Sequence, residues 1–101
     1  MIWKLIVPGA IEDVDELRLL EWHGAVGRMF SPGDLIVELE THKAVVEIRA
    51  GRQAVLRRMV AEPGSWHKPG DTLALLSSGE AEALPSEAGA EEALPVEFEI
   101  T

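Results

Sequence analysis

The chain has 101 residues and no cysteine, which leaves room for one domain with a modest core and excludes disulfides, thiolate metal sites and cysteine nucleophiles. Its formal net charge of -9 is gathered at one end: residues 77–101 carry seven glutamates and no Lys or Arg, so residues 1–76 hold eleven acids against all nine basic residues. That near-balance argues against a nucleic-acid surface, and with no run of about 20 apolar residues and no secretory pattern the expectation is a soluble, cytoplasmic protein away from membranes.

In chain order, the apolar pattern of residues 1–76 is short and mostly period-two, bounded by Pro, Gly and Asp, which predicts half-buried strands. Ile2–Val7 is the first. Ile11–Trp22 reads in two ways: Ile11, Val14, Leu17 and Leu20 share one face of a helix, or the segment contains a strand. Leu35, Val37 and Leu39 alternate with Glu38 and Glu40, and Val46 and Ile48 with Val45, Glu47 and Arg49, so Glu40 and Ala44 bracket a short turn.

An internal repeat organises these strands. Ser31-Pro32-Gly33-Asp34-Leu35 returns 37 residues later as Lys68-Pro69-Gly70-Asp71-Thr72-Leu73, each copy a tight turn in which Pro fixes φ and Gly takes positive φ before an apolar strand. Two similar half-domains predict an all-β flattened sandwich or barrel of two four-stranded antiparallel sheets related by a pseudo-twofold axis. The turn at 40–44 falls near the join. Beyond Leu76 the composition shifts to Ser, Gly, Glu, Ala, Leu and Pro, which reads as a flexible linker over 77–95. The closing Val96-Glu97-Phe98-Glu99-Ile100 alternates like a strand, so residues 96–101 are either a docking segment or simply an end.

The segment from Gly33 to Ile48, with Glu40-Thr41-His42-Lys43-Ala44 at its centre, resembles the attachment region of lipoyl domains in 2-oxo acid dehydrogenase complexes. Glu21-Trp22, Gly27 sixteen residues before Lys43, and Pro69-Gly70-Asp71-Thr72-Leu73 extend the resemblance over residues 2–76. It implies that lipoate is attached to Lys43 as an amide and that the domain is a non-catalytic carrier. On this resemblance the arm accepts an acyl group from a thiamine-dependent 2-oxo acid dehydrogenase, passes it to coenzyme A at an acyltransferase, and is reoxidised by dihydrolipoamide dehydrogenase. A lipoate-attaching enzyme is the further partner, and the isolated domain is expected to be monomeric.

The residue types suit that role. A lysine at a two-strand turn stands clear of its neighbours, and its primary amine on a four-carbon stem can be acylated to a neutral amide. Glu40, Thr41, Ala44 and Gly27 match positions that serve recognition by attaching enzymes. Glu40 also reads as a solvated strand-end charge, and Gly27 as a residue needed for positive φ. His42 replaces the usual Asp, exchanging a fixed negative charge for an imidazole. The resemblance also places the loop from Pro8 to Glu16 beside the lysine turn, made acidic by Glu12, Asp13, Asp15 and Glu16.

Two other readings stay open. Biotinyl domains share the fold and the lysine turn but surround the lysine with methionines, whereas Met1, Met29 and Met59 all lie elsewhere. The second is an unmodified β-sandwich interaction module. His23, His42 and His67 show no mutual metal-ligand spacing, and no Gly-rich phosphate loop precedes a helix. Trp3 and Trp66 read as core or edge packing. The His-x-x-x-Asp-Gly motif of the acyltransferases is absent, so the expectation is a free-standing carrier or the N-terminal piece of a longer chain.

Overall fold

A computed structural model describes residues 1–9, 15–79 and 92–100. Ten strands appear there: β1 (Ile2–Ile6), β2 (Leu17–Trp22), β3 (Met29–Phe30), β4 (Leu35–Glu40), β5 (Val45–Ala50), β6 (Ala54–Met59), β7 (Trp66–His67), β8 (Thr72–Ser77), β9 (Glu92–Ala93) and β10 (Val96–Ile100). They form two five-stranded sheets, ordered β3-β6-β8-β1-β9 and β10-β5-β4-β2-β7. Over Leu17–Trp22 the strand reading prevails: Leu17 and Leu19 face inward while Arg18 between them is exposed, a period of two that a helix would not give. Residues 11–14 of the helical alternative lie outside the described residues.

The repeat is a true pseudo-twofold. Asp34 donates its backbone N–H to the Ser31 carbonyl and accepts from the Ser31 N–H, at 2.9 Å each, and Asp71 does the same with Lys68 at 3.0 and 2.8 Å. Gly33 and Gly70 have φ of 92° and 93°, the left-handed region that favours glycine. Gly33 N–H donates to Ala50 and Gly70 N–H to Val7, while Gly27 N–H donates to Leu56 and Gly64 N–H to Leu19. The shift of 37 residues thus carries β2 onto β6, β3 onto β7 and β4 onto β8. Each two-residue strand crosses to the other half-domain, β3 pairing with β6 and β7 with β2, so neither half can close its sheet alone.

Between the sheets lies one apolar core. Leu5, Leu17, Leu19, Phe30, Ile36, Leu39, Ile48, Leu56, Leu73 and Leu76 are fully buried, and Trp3 joins them as expected of a packing residue. Ser77 is the one buried polar residue among those described. Its hydroxyl accepts from Arg57 and donates to the Gly79 carbonyl. Simple alternation misplaces part of β4, because a bulge between Leu35 and Val37 lets Ile36 and Val37 both turn inward and leaves Leu35 opposite Arg49.

The predicted four strands per sheet hold for β1 to β8, and residues 92–100 add a fifth to each sheet. β9 runs parallel to β1, with Trp3 opposite Glu92, and β10 runs antiparallel to β5 from Val96 opposite Ala50 to Ile100 opposite Val46. Between them Leu94 enters the core, 4% exposed, with its N–H donated to the Lys4 carbonyl. Residues 92–100 therefore form a strap that covers an edge of each sheet. The linker expected over 77–95 is structured at both ends, since Ser77 closes β8 and 92–95 belong to the strap. Composition misses this because one leucine in a polar stretch carries the anchoring. Residues 80–91, the centre of that expected linker, lie outside the described residues. Among the described residues, no helix is long and apolar enough to cross a membrane.

Candidate functional site

The β4–β5 hairpin ends on a tight turn built around one hydroxyl. Thr41 N–H donates to the Ala44 carbonyl at 2.8 Å, directly after the last strand pair, Glu40 opposite Val45. The Thr41 Oγ1 accepts the N–H of Lys43 at 3.1 Å and that of Ala44 at 3.0 Å. A side-chain oxygen that replaces a backbone acceptor in this way fixes the turn without a glycine. Thr41 is thus a positioning residue for Lys43, and Ala44 is the half-buried second anchor. His42 and Lys43 are left exposed at the tip, and the Lys43 side chain makes no ion pair with any described residue.

Glu40 sits one strand position below the turn, where Arg18 on β2 faces it across the sheet, Nη1 to Oε1 at 3.4 Å. The pair is partly exposed, so it contributes little to stability. Its effect is to fix a charged residue at the base of the lysine turn. Because Arg18 is the second residue of β2, the end of the Pro8–Glu16 loop lies beside that turn, with Asp15 and Glu16 exposed. Glu12 and Asp13 lie outside the described residues. The pseudo-twofold mate of this loop is only Gly51–Gln53, so the two halves differ in length most at the end that carries Lys43.

Gly27 is not brought to the turn. It follows β2 at the end where Trp22 pairs with Val37, the start of β4, whereas Lys43 follows the end of β4. Its φ of 99° and the N–H donated to Leu56 account for the glycine there, which favours the second of the two readings given to it above.

Sequence spacing did not join His23 to anything. In the structure its Nε2 lies 2.5 Å from Glu38 Oε1 and 3.8 Å from Glu21 Oε2. Strand register makes that neighbourhood: Glu21 faces Glu38, Glu38 faces Glu47, and Glu47 faces Glu99, one cross-strand row on the outer face of the sheet. Like charges in direct opposition are unfavourable. His23 and Arg49, the latter 3.6 Å from Glu47, are the described side chains that offset the row. The signal in the sequence was four glutamates in alternating segments, but only the pairing register assembles them.

On a two-sheet β-sandwich with pseudo-twofold symmetry, the Thr41 hydroxyl holds the hairpin turn that presents the Lys43 amine to solvent. A family model described as biotin-requiring enzyme, covering biotin and lipoyl attachment, matches residues 4–76. The chain is 32% identical over 81 residues to the dihydrolipoyllysine-residue acetyltransferase component of the pyruvate dehydrogenase complex of Rickettsia bellii, covering 80% of this chain and 19% of that protein. It is 34% identical over 73 residues to the dihydrolipoyllysine-residue succinyltransferase component of the 2-oxoglutarate dehydrogenase complex of Staphylococcus saprophyticus, covering 72% and 17%. The chain belongs to the biotin/lipoyl attachment family and is a carrier domain of the lipoyl type. It spans about a fifth of the length of these curated relatives.

Proposed function

We propose that Lys43 carries lipoate as an amide and that the domain serves as the swinging arm of a 2-oxo acid dehydrogenase complex. The observation that carries the reading is the geometry of Lys43: an exposed amine at a turn whose backbone is tied by Thr41, with no described residue competing for it. Such an amine fits the group chemically, because attack on an activated acyl carbon forms the amide bond, expels the leaving group and releases the proton that charged the lysine. A lipoyl group bound there supplies a dithiolane that alternates between disulfide and dithiol. The chain's own residues hold the attachment point away from the sheet and leave chemistry to partner enzymes. The flanks Thr41-His42 and Ala44-Val45, free of methionine, favour lipoate over biotin.

The test is enzymatic. A lipoate ligase modifies the native chain and the Lys4→Arg and Lys68→Arg variants, but not Lys43→Arg. Modification surviving Lys43→Arg would refute the assignment, and transfer of biotin in place of lipoate by a biotin ligase would favour the other branch of the family. Folding is expected to change by no more than about 0.5 kcal/mol, since the charge is kept at an exposed turn.

We assign partner recognition to the acidic end of the molecule, Asp15 and Glu16 beside Glu40 and His42, together with Glu12 and Asp13, which precede them in the sequence. Their charge complements a basic rim around a partner's active-site entrance, such as that of a thiamine-dependent dehydrogenase, an acyltransferase or a flavoprotein reoxidant. Neutralising Glu12, Asp13, Asp15 and Glu16 together is expected to slow acylation by the cognate dehydrogenase several-fold at low salt, with lipoylation unaffected. Rates that do not change at low ionic strength would remove the loop from recognition. A cytoplasmic location is part of the same proposal.

A further inference from the structure

The outer face of the β10-β5-β4-β2-β7 sheet gathers a set of metal-ligating atoms away from the lysine turn. His23 Nε2, a carboxylate oxygen of Glu21 and one of Glu38 all lie within 4.8 Å of one another. His23 and Glu38 are half-buried and Glu21 is exposed. The backbone of His23 is held from both sides: its N–H donates to the Ile36 carbonyl at 2.8 Å, and its own carbonyl accepts from Arg28 Nη1. Glu21 and Glu38 face each other across β2 and β4. Strand pairing and the exit of the chain from β2 thus bring one imidazole and two carboxylates to one spot.

The spacing suits a metal ion. Zinc bound by imidazole nitrogen and carboxylate oxygen makes bonds of about 2.0–2.1 Å, so tetrahedral ligand atoms stand about 3.3 Å apart. The gaps here are 2.5 Å from His23 to Glu38 and 3.8 Å from His23 to Glu21, on either side of that value. A cation at the centre takes over the direct His23–Glu38 hydrogen bond and draws Glu21 inward, a movement within reach of one exposed side chain. One nitrogen and two carboxylates form a donor set for a divalent first-row cation, with water completing the coordination. His67 shows the contrast: it meets a single acid, Asp71 at 3.8 Å, and its Nε2 is taken by the Ser65 hydroxyl at 2.6 Å.

Nothing in the fold calls for this set. The 37-residue shift carries Glu21, His23 and Glu38 onto Arg58, Val60 and Leu75, and there Arg58 faces Leu75 in the matching register. The other half-domain is therefore built without acid against acid. Here Glu21 faces Glu38 and Glu38 faces Glu47, oppositions that are unfavourable unless a cation answers them. Arg49 answers Glu47 at 3.6 Å, which leaves His23 alone between Glu21 and Glu38 among the described residues. We propose that Glu21, His23 and Glu38 form a binding site for one divalent transition cation of the zinc class, which ties the end of β2 to β4. The site is independent of what Lys43 carries.

The experiment titrates the full chain with Zn²⁺ while Lys43 is unmodified, because a dihydrolipoyl dithiol would itself bind the ion. Calorimetry is expected to saturate at one ion per chain, and the thermal midpoint to rise with Zn²⁺ concentration. In the native chain the His23 ring resonances shift on titration while those of His42 and His67 stay, which locates the ion without any variant. His23→Gln and Glu38→Gln are each expected to weaken binding by at least about tenfold, as loss of a ligand should cost no less than loss of its supporting contacts. His67→Gln leaves the affinity unchanged, and midpoints measured without zinc show that each variant is folded. Binding no tighter than about 1 mM, His23 resonances that do not move, or an affinity kept in folded His23→Gln would each mean an adventitious ion only and overturn the site.

Discussion

Phe30→Ala is expected to destabilise the domain by about 3–5 kcal/mol, the usual cost of removing a fully buried phenylalanine. Phe30 is half of the two-residue strand β3, which holds one half-domain to the other by pairing with Ala54 and Val55 of β6. Its ring fills the core, and the Arg28 guanidinium stacks over it, 4.5 Å from the centroid. Truncation removes both the filling and the anchor of β3. At about 4–8 °C per kcal/mol for a domain of this size, the midpoint of thermal unfolding is expected to drop by roughly 15–30 °C. His67, the pseudo-twofold mate, is only half-buried, so His67→Ala is expected to cost far less. Differential scanning calorimetry separates the two, and equal losses would contradict the asymmetry of the core.

Gly51→Ala is expected to release the strap. A β-carbon at Gly51 would lie 2.7 Å from the Pro95 carbonyl oxygen and 2.9 Å from its carbon, both backbone atoms that cannot rotate away. The same approach carries the Gly51 N–H donated to Pro95 at 2.9 Å. Displacing Pro95 withdraws Leu94 from the core and opens the β10–β5 ladder, a loss of about 2 kcal/mol from the leucine alone. Hydrogen exchange is expected to speed up at residues 94–100 while β4 and β8 keep their protection. Gly9→Ala, with nothing within 4 Å of the added carbon, is the control. A strap as protected in Gly51→Ala as in the native chain would mean that it is held elsewhere.

Much of the fold could be read from local chemistry, because its signals are local. The two Pro-Gly-Asp turns each need a positive φ and a side-chain acceptor three residues on, and both are visible as residue types. Alternation places Val46 and Ile48 on the inner face without knowledge of their partners. Bulges are less visible: the one at Leu35/Val37 changes which residues face inward, and no residue type marks it. The strap was half legible. Val96–Ile100 alternates like a strand, but its partner β5 and the anchoring of Leu94 are long-range facts that composition averages away.

The site divides in the same way. Lys43 and its turn were legible because the residues that shape the turn adjoin it in sequence, and Thr41 turned out to act on the backbone of Lys43 and Ala44 directly. Glu40 acquired a partner, Arg18, from 22 positions away. The glutamate row with His23 depends on strand register, which a single sequence does not display. Gly27 illustrates the reverse case: the family resemblance implied a role shared with the lysine turn, and the topology places it at the opposite end of the strands.

The central claim is that this chain bears lipoate on Lys43. Intact mass of the chain isolated from its native host, followed by fragmentation of the peptide spanning Val37–Arg49, tests it most directly. The account predicts a single lipoyl increment located on Lys43 and on no other lysine. A biotin increment, an increment on Lys4 or Lys68, or an unmodified Lys43 in a host whose other carrier domains are lipoylated would contradict it.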